Sequence, residues 1–437
     1  MKKYYLASSE KSLSMAKHWS KFLLSLSAAS VLLGGCKKNT FSKDDPLPPT
    51  YSTSVIINSD NQVLYAYDPN SHKRNWELSF AYLPAVPNTH YTPSPVLLNG
   101  YIYMATVNSD TLYKIESKTG VIAKKISNTV ISYKCISTPV VDGGLIYLTT
   151  LSGYVVALDP DGTVKWSFYT GSSMESSPTI YKNQVYVATL GGHVFSLDKA
   201  IGPDVLGNPT WDYPGAGVTP AFPARFISSP TVGDPYVYVG SISDSSMYCI
   251  YITPPVDPAP APPPTPYLGY LRWMFKSNGP IYSSPAAYSG YCIFGSTDYN
   301  VYCLDTSIDH FGLGGVVRDT PGVVWKYHTN SQIFSSPLAY NQVVYIGSND
   351  QNLYAINILD GSKKWSMGTN GLIKSSPTIY GSQVFIGSYD KNIYAVDTAT
   401  GTANWNVNTN GTIECSPLVD NLTAPTGFNS QISGLTY

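Results

Sequence analysis

The chain has 437 residues, of which 43% are hydrophobic and 13% charged, and its formal net charge is −1. Without residues 1–35, which hold five Lys and one Glu, it keeps 22 basic and 27 acidic residues, a net charge of −5. No basic run or patch remains, which argues against nucleic-acid binding. Tyrosine is abundant, with 36 copies, and together with 35 Gly and 33 Pro it favours short strands separated by many turns.

The first segment, residues 1–35, is predicted to be a bacterial signal peptide that starts at Met1 or Met15. Basic residues precede an apolar run from Phe22 to Leu33, which is too short to span a bilayer but suits a signal sequence. The run ends in Leu-Gly-Gly-Cys36, which resembles a lipobox. We therefore expect cleavage before Cys36 and lipid chains on that residue as a membrane anchor. An ordinary secretory signal with a chance cysteine is the alternative.

Residues 36–50 are polar and end in a proline-rich stretch, so we expect a disordered tether between Cys36 and a folded domain at 51–420. Lys37 follows the cysteine in the place where Asp would favour the inner membrane, which predicts an outer-membrane location. The sequence leaves open whether the protein faces the periplasm or the cell surface. Residues 421–437 are expected to form a C-terminal tail.

An internal repeat of about 40 residues organises the chain after residue 50. Segments of strand character alternate with Gly, Asn and Asp at turn positions, and no convincing helical period is present. Four strands fit into each unit, as in the blade of a β-propeller. The units are marked by prolines that mostly follow a serine, namely Pro95, Pro139, Pro178, Pro230, Pro285, Pro337, Pro377 and Pro417.

The fourth strand of the unit begins near a tryptophan in seven copies and near Lys124 in the second copy, which gives eight blades. The first copy has no Ser-Pro strand, and the last Ser-Pro segment has no strands after it. We therefore predict an all-β, eight-bladed propeller of four-stranded antiparallel blades, in which Ser416–Asp420 pairs with Val55–Ser59 and completes blade one. The seven tryptophans are Trp76, Trp166, Trp211, Trp273, Trp325, Trp365 and Trp405.

The segment Ala395-Val-Asp397-Thr-Ala-Thr400-Gly401-Thr-Ala-Asn-Trp405 resembles the tryptophan-docking motif of pyrroloquinoline-quinone repeat propellers. The resemblance implies that these tryptophans lock neighbouring blades together, with Cys249 and Cys303 in the alanine slot. Catalytic members of that family hold the quinone over calcium, under a disulfide of adjacent cysteines that this chain lacks. In size, blade number and anchor, the chain is more similar to the propeller lipoproteins of outer-membrane barrel assembly. We accordingly predict no cofactor and no enzymatic activity.

Other candidate sites have structural explanations. The cysteines after residue 36 are odd in number and form no adjacent or CxxC pair. This pattern favours small buried side chains that fill the core over disulfide bonds. Asp298/Asn300, Asp350/Asn352 and Asp390/Asn392 resemble fragments of a calcium loop, but their repetition at one place in three blades favours turn chemistry. No metal site is predicted. The five cysteines are Cys135, Cys249, Cys292, Cys303 and Cys415.

The best candidate binding surface is a ring of residues, each three positions before a repeat proline, where the chain enters the innermost strand of a blade. These residues are expected to surround one mouth of the central channel, either as a recognition surface or as a plug. Aromatic side chains stand beside charged ones in this set. Its members are Thr92, Ile136, Glu175, Ile227, Tyr282, Phe334, Lys374 and Glu414.

The opposite face is expected to be asymmetric, because blades four, five and six carry insertions at Lys199–Thr210, Thr253–Tyr270 and Thr306–Val323. The middle insertion is a polyproline arm that is suited to an aromatic groove or serves as a spacer. The sequence thus favours a lipid-anchored, non-catalytic scaffold that binds protein partners in the cell envelope. A quinone-dependent dehydrogenase or sensor, and a carbohydrate-binding propeller, are the alternatives. Oligomeric state, partner and ligand stay open.

Overall fold

The structure is a computed structural model that describes residues 53–80, 93–106, 109–127, 134, 136–214, 224–252, 269–306 and 321–421. Several predicted features lie outside these residues: the signal peptide, Cys36, the tether, Thr92, Cys135, the polyproline arm and residues 422–437 of the C-terminal tail, whose first residue, Asn421, belongs to the last strand. Of the three insertions, the one in blade four is described throughout. The described part contains no helix long and apolar enough to cross a membrane.

The described residues form 32 β-strands in eight antiparallel sheets of four strands, so the predicted eight-bladed propeller is confirmed. In blades two to eight the strands follow each other along the chain, and the first strand of each lies innermost. Blade one contains β1 (Thr53–Ser59), β2 (Val63–Tyr67), β3 (Arg74–Ser79) and β32 (Leu418–Asn421). Blade two contains β4 (Val96–Leu98), β5 (Tyr101–Thr106), β6 (Ser109–Glu116) and β7 (Ile122–Ile126).

The remaining six blades repeat this plan. Blade three has β8 (Val140–Asp142), β9 (Leu145–Thr149), β10 (Tyr154–Leu158) and β11 (Val164–Tyr169), and blade four has β12 (Thr179–Tyr181), β13 (Gln184–Ala188), β14 (Val194–Asp198) and β15 (Trp211–Tyr213). Blade five has β16 (Thr231–Gly233), β17 (Tyr236–Gly240), β18 (Ser246–Tyr251) and β19 (Leu271–Lys276), and blade six has β20 (Ala286–Tyr288), β21 (Tyr291–Gly295), β22 (Asn300–Asp305) and β23 (Gly322–His328). Blade seven has β24 (Leu338–Tyr340), β25 (Val343–Gly347), β26 (Asn352–Asn357) and β27 (Lys363–Gly368), and blade eight has β28 (Thr378–Tyr380), β29 (Gln383–Gly387), β30 (Asn392–Asp397) and β31 (Ala403–Asn408).

The two middle strands of a blade are covered on both faces by neighbouring blades, which is why their sequences are continuous apolar runs rather than alternating ones. All five residues of β25, Val-Val-Tyr-Ile-Gly, are buried. The outermost strand is different: in β27, Trp365 and Met367 are buried while the residues next to them are exposed. The hydrophobic core therefore lies between adjacent blades, in clusters such as the one that joins Tyr345 and Leu353 of blade seven to Val384 of blade eight.

The predicted closure is confirmed, with a different register. β32 pairs with Thr53–Ile56 of β1, through Thr53↔Asn421 to Ile56↔Leu418, rather than with Val55–Ser59. The shift arises because the residues before β32 have other partners. Pro417 has no N–H to donate to a ladder, and Cys415 is hydrogen-bonded to the backbone of Asn58 at the opposite end of β1.

Strand direction divides the propeller into two faces. Because adjacent strands of a blade are antiparallel, the loops between strands one and two and between strands three and four share one face. β1 begins on that face, at Thr53, and we call it the N-terminal face. The loops between strands two and three, and the connections from one blade to the next, lie on the other face, which we call the mouth face.

Neighbouring blades are joined by the tryptophans of the repeat. The indole Nε1 of Trp365 donates a hydrogen bond of 3.0 Å to the carbonyl oxygen of Thr398 in the next blade. Trp405 of blade eight donates in the same way to Pro69 of blade one, at 2.9 Å, and so joins the last blade to the first. A buried indole N–H needs such an acceptor. Nε1 of Trp76, Trp166 and Trp325 makes the equivalent bond, to Ser117, Lys199 and Ile358.

Blade two makes this junction without a tryptophan. Lys124 lies opposite Lys114 in the ladder, the register position that tryptophan takes opposite alanine or cysteine in other blades. Its Nζ donates 2.8 Å to the carbonyl oxygen of Asp161 in blade three, while Lys114 forms an ion pair with the Asp161 carboxylate at 3.1 Å. An ammonium group thus replaces the indole N–H as the donor between these two blades.

Candidate functional site

A belt of serine side chains surrounds the central channel. The backbone N–H of Ser284 donates to Oγ of Ser336 in the next blade at 2.9 Å, and the N–H of Ser336 donates to Oγ of Ser376 at 3.0 Å. Each acceptor is the residue just before a repeat proline, so the same bond recurs from blade to blade. The belt consists of Thr138, Ser177, Ser229, Ser284, Ser336, Ser376, Ser416 and Ser94, in that order around the channel.

The belt surrounds a cavity of about 210 Å³ on the propeller axis. Its wall alternates between the belt hydroxyls and proline rings such as Pro337 and Pro377. In the sequence the Ser-Pro pairs mark the innermost strands, and this second role of the serine was not predicted from them. The recurrence of Ser at that one position was the available signal, but its partner is about 40 residues away and becomes visible only in the closed ring.

The first serine of each Ser-Ser-Pro segment has a different partner within its own blade. Oγ of Ser335 accepts a hydrogen bond of 3.1 Å from the N–H of Gly347, at the end of the second strand. Cys415 takes this position in blade one, where its Sγ accepts from the N–H of Asn58 at 3.2 Å and lies 3.0 Å from the Asn58 carbonyl oxygen. Burial raises the pKa of the Cys415 thiol to about 12. Cys249, Cys292 and Cys303 are also free and buried.

The ring residues are aimed by the isoleucines that precede them. Ile373 is fully buried against Gly347 of the preceding blade, where a Cβ on the glycine would approach its Cγ2 to 2.2 Å. Side chains alternate in an extended chain, so the next residue, Lys374, faces the opposite way, two positions before the belt serine. Ile281, Ile333 and Ile413 are buried in the same manner before Tyr282, Phe334 and Glu414.

Four consecutive ring residues contact one another, and we call them the mouth cluster: Tyr282, Phe334, Lys374 and Glu414. The rings of Tyr282 and Phe334 lie 4.9 Å apart between centroids and are tilted by 46°. Nζ of Lys374 lies 5.6 Å from the centre of the Phe334 ring and 3.1 Å from the Glu414 carboxylate. The Tyr389 hydroxyl lies 2.8 Å from the same ammonium. Tyr282, Phe334 and Lys374 are half-buried, which leaves part of each of them open to a ligand, whereas the Glu414 side chain is only 8% exposed and serves mainly as the partner of Lys374.

The other half of the ring has a different character. Ile136, Glu175 and Ile227 are half-buried, and Thr92 lies outside the described residues. Burial raises the pKa of Glu175, and the nearby Arg225 guanidinium partly opposes the shift. The mouth is therefore uneven: aromatic rings and an ion pair lie on the side of blades six, seven, eight and one, and aliphatic side chains flank an acid on the side of blades three to five.

The repeated Asp/Asn pairs make turn hydrogen bonds on the mouth face. Oδ2 of Asp350 accepts from the Tyr354 hydroxyl at 2.7 Å and from the backbone N–H of Asn330 at 2.9 Å. Asp298 and Asp390 make the equivalent two bonds, one to a tyrosine of their own blade and one to the backbone that follows the last strand of the preceding blade. In the part of the chain that the structure describes, no three His, Cys, Asp or Glu side chains converge as metal ligands. The turn hydrogen bonds of Asp298, Asp350 and Asp390 account for the repetition of the Asp/Asn pairs in three blades.

The family description "Outer membrane protein assembly factor BamB" matches residues 129–248 and 316–427, which together make up more than half of the chain. The chain belongs to this family. Its propeller resembles the crystal structure of BamB from Moraxella catarrhalis, with 16% identity, a TM-score of 0.53, and coverage of 80% of this chain and 89% of that one.

Other similar structures show how widely the fold is used. A computationally designed protein, Ika8, is 14% identical with a TM-score of 0.58 and covers 75% of this chain and 90% of its own. A europium-containing methanol dehydrogenase is 13% identical with a TM-score of 0.54, covering 74% and 79%. At such identities the likeness concerns the fold alone, so catalysis has to be decided from the residues of the site.

Curated relatives match a short stretch. The human and mouse beta-alanine-activating enzymes are 27% and 26% identical over 103 and 102 residues. The matched stretch is 22% of this chain and 8% of either enzyme. This chain therefore matches only a small part of the length of these relatives.

Proposed function

We propose that this BamB-family chain is a non-catalytic scaffold of the bacterial cell envelope, anchored by a lipid on Cys36, which binds a protein partner at the mouth cluster. The mouth cluster carries the proposal. Tyr282 and Phe334 offer two half-open aromatic faces, and tyrosine and other aromatic residues are enriched in the cores of protein interfaces.

The charges of the mouth cluster support a protein partner. Lys374 is held between two aromatic rings and the Glu414 carboxylate, so a partner meets a neutralised ammonium rather than an unpaired charge. Desolvating an ion pair that is already formed costs less than burying an isolated charge. The family description, an outer-membrane assembly factor, supports the envelope location and an assembly role. The Leu-Gly-Gly-Cys36 sequence supports the anchor.

A photo-crosslinking amino acid at Phe334, introduced in cells that express the full chain, tests the binding surface. We expect one recurrent crosslinked partner from position 334 and none from Leu359, an exposed residue on the N-terminal face. Tyr282→Ala together with Phe334→Ala should then weaken binding of that partner at least about tenfold, because both aromatic anchors are lost. Unchanged affinity in a folded double variant contradicts the proposal.

Two further measurements test the anchor and the lack of catalysis. Cys36→Ala should leave unprocessed precursor that incorporates no radiolabelled fatty acid, and labelling of that variant contradicts the anchor. Purified protein given pyrroloquinoline quinone, calcium and an artificial electron acceptor should oxidise no alcohol or sugar. In the described residues no three His, Cys, Asp or Glu side chains converge to hold the metal on which that chemistry depends. Turnover that depends on the quinone would make the protein an enzyme.

A further inference from the structure

Exposed apolar side chains are concentrated on the N-terminal face. Twelve large apolar side chains of the described residues are exposed, and ten of them lie in loops or strand ends of that face. The two on the mouth face are Tyr169 and Tyr299. Isolated exposed apolar residues are ordinary, but such a bias towards one face is not. The ten are Val121, Ile201, Val205, Leu206, Tyr270, Leu271, Val323, Val324, Tyr340 and Leu359.

The blade-four insertion, Lys199–Thr210, presents the most exposed members of this set. Val205 is fully exposed, Leu206 is 83% exposed and Ile201 is 67% exposed. Exposing aliphatic side chains to water is unfavourable, and solubility requires that few of them be exposed. Three exposed aliphatic residues within six positions are therefore unusual for a surface that contacts only water. We call Ile201, Val205 and Leu206 the apolar tip.

The loop that carries the apolar tip is built from its own hydrogen bonds. The Asp204 carboxylate accepts from the backbone N–H of Leu206 and of Asn208, both at 2.8 Å. At the base of the loop, Gly202 adopts a φ of +75° and lies against the Trp166 ring, where a Cβ would come within 2.5 Å of Cδ2. The Lys199 ammonium is paired with the Asp142 carboxylate. The tip is therefore held outward, with little conformational entropy left to lose on binding.

The chain meets the propeller on the same face. Thr53, the first residue of β1, pairs with Asn421 at the N-terminal-face end of blade one. Sixteen residues separate it from Cys36. Even a fully extended chain of that length spans no more than roughly 60 Å. A lipid on Cys36 thus keeps the N-terminal face within reach of the bilayer surface.

We propose that the apolar tip inserts into the interface between headgroups and acyl chains of the bilayer that holds Cys36, so that the mouth face points away from the membrane. This inference rests on the lipid anchor of the proposed function. The anchor supplies a high effective concentration, so three aliphatic side chains suffice for a second contact that would be weak on its own. Tether and tip together orient the propeller.

The contact is predicted to be hydrophobic rather than electrostatic. The two lysines of the neighbouring loops, Lys182 and Lys199, are already paired with Asp234 and Asp142. The tip itself brings one carboxylate, Asp204, which is occupied by the backbone N–H groups of the loop. Raising the salt concentration from about 0.1 M to 0.5 M, which shortens the screening length about twofold, should therefore leave the contact intact.

An environment-sensitive fluorophore on introduced cysteines tests the inference in the full lipidated chain. The described native cysteines are buried, and the unsubstituted protein provides the labelling blank. On phosphatidylethanolamine/phosphatidylglycerol vesicles, the label in Leu206→Cys should brighten at least about threefold and be quenched by a lipid-borne quencher. The matched label in Tyr169→Cys, exposed on the mouth face, should do neither. Equal responses at both positions, or no response at 206, overturn the inference.

A second variant separates insertion from anchoring. In Val205→Asp/Leu206→Asp, a label at Ile201→Cys should lose its response while the protein stays on the vesicles through Cys36. A response at 206 that requires added envelope proteins would identify a protein as the occupant and overturn the inference. Mass spectrometry scores the anchor by itself: an unmodified Cys36 refutes that part of the proposed function. In that case the same chain is coupled at Cys36 to a maleimide lipid and the vesicle measurement is repeated. If the fluorophore at position 206 still does not respond, the proposed insertion of the apolar tip is wrong as well.

Discussion

The backbone of Gly401 lies directly on the ring of Trp365 in the preceding blade, so closely that a Cβ atom would stand 2.6 Å from Cδ2. Gly401 also has a φ of +72°, a conformation that costs other residues about 1 kcal/mol. Gly401→Ala should therefore lower the free energy of unfolding by about 2–4 kcal/mol, because both the backbone and the contact are strained. Chemical denaturation measures the change.

Gly381 is the matched control for this substitution. Its φ is +61°, and no atom lies within 4 Å of the place where a Cβ would stand. Gly381→Ala should cost only the backbone penalty, about 1 kcal/mol. Equal losses at the two positions would show that the packing of glycine on tryptophan contributes nothing to the junction between blades.

Deleting residues 418–437 should lower the melting temperature steeply. The deletion removes β32, so the buried Leu418 and Val419 are lost and the ladder edge of β1 is left open. Deleting only residues 422–437 is the control, since the ladder ends at Asn421, and it should change the melting temperature little. Similar melting of the two truncated proteins would contradict the role of β32 in closing the ring.

Ser336→Ala should cost about 1–2 kcal/mol of stability without changing blade number. The substitution removes the acceptor of the Ser284 N–H and leaves this part-buried donor without its hydroxyl partner. Hydrogen exchange at the Ser284 amide gives the most direct readout, because protection should fall at that amide first. Unchanged protection of that amide would mean that the belt hydrogen bonds do not stabilise the closed ring of blades and form only because the ring is closed.

Asp420 should make stability depend on pH. Burial of the side chain raises the pKa of its carboxyl, and the nearby Ser117 hydroxyl and Lys118 ammonium oppose the shift only in part. The ionised form is thus disfavoured on folding, so its contribution to stability falls as the pH rises from about 4 through the folded pKa. Asp420→Asn should raise stability at pH 7 by about 1 kcal/mol and have little effect below pH 4. A variant that is less stable at pH 7 would mean that the charge is well compensated.

The blade count and the closure could be predicted because both depend on local pattern repeated eight times. The alternation of strands and turns, and the recurring tryptophan, do not require knowledge of partners across the ring. The ends of the strands were harder to predict from the sequence. β1, for example, begins at Thr53 instead of Val55. The registers of β1 and β32 depend on what Cys415 and Pro417 do before the strand, and those contacts join residues more than 350 positions apart.

The position of the ring residues was accessible to sequence reasoning, but their contacts were not. Each residue is placed by the repeat, whereas the approach of Lys374 to Phe334 and Glu414 depends on side-chain reach between blades. Lys124 illustrates the same limit: its slot was recognisable, but its bond to Asp161 required the neighbouring blade. The apolar tip gave no repeat signal at all, since Val205 and Leu206 belong to one blade only.

Thr53 and Asn421, the two ends of the described propeller, are partners in a single ladder. A short peptide bridge between them would make the ring continuous, and the chain could then be cut open on the N-terminal face of another blade. Such a circularly permuted protein would keep all eight sheets, with blade one built from one uninterrupted segment. The folded ring therefore does not require that the chain begin in blade one. The break in blade one reflects where the chain starts and ends along the repeats, and the assembled sheets do not depend on it.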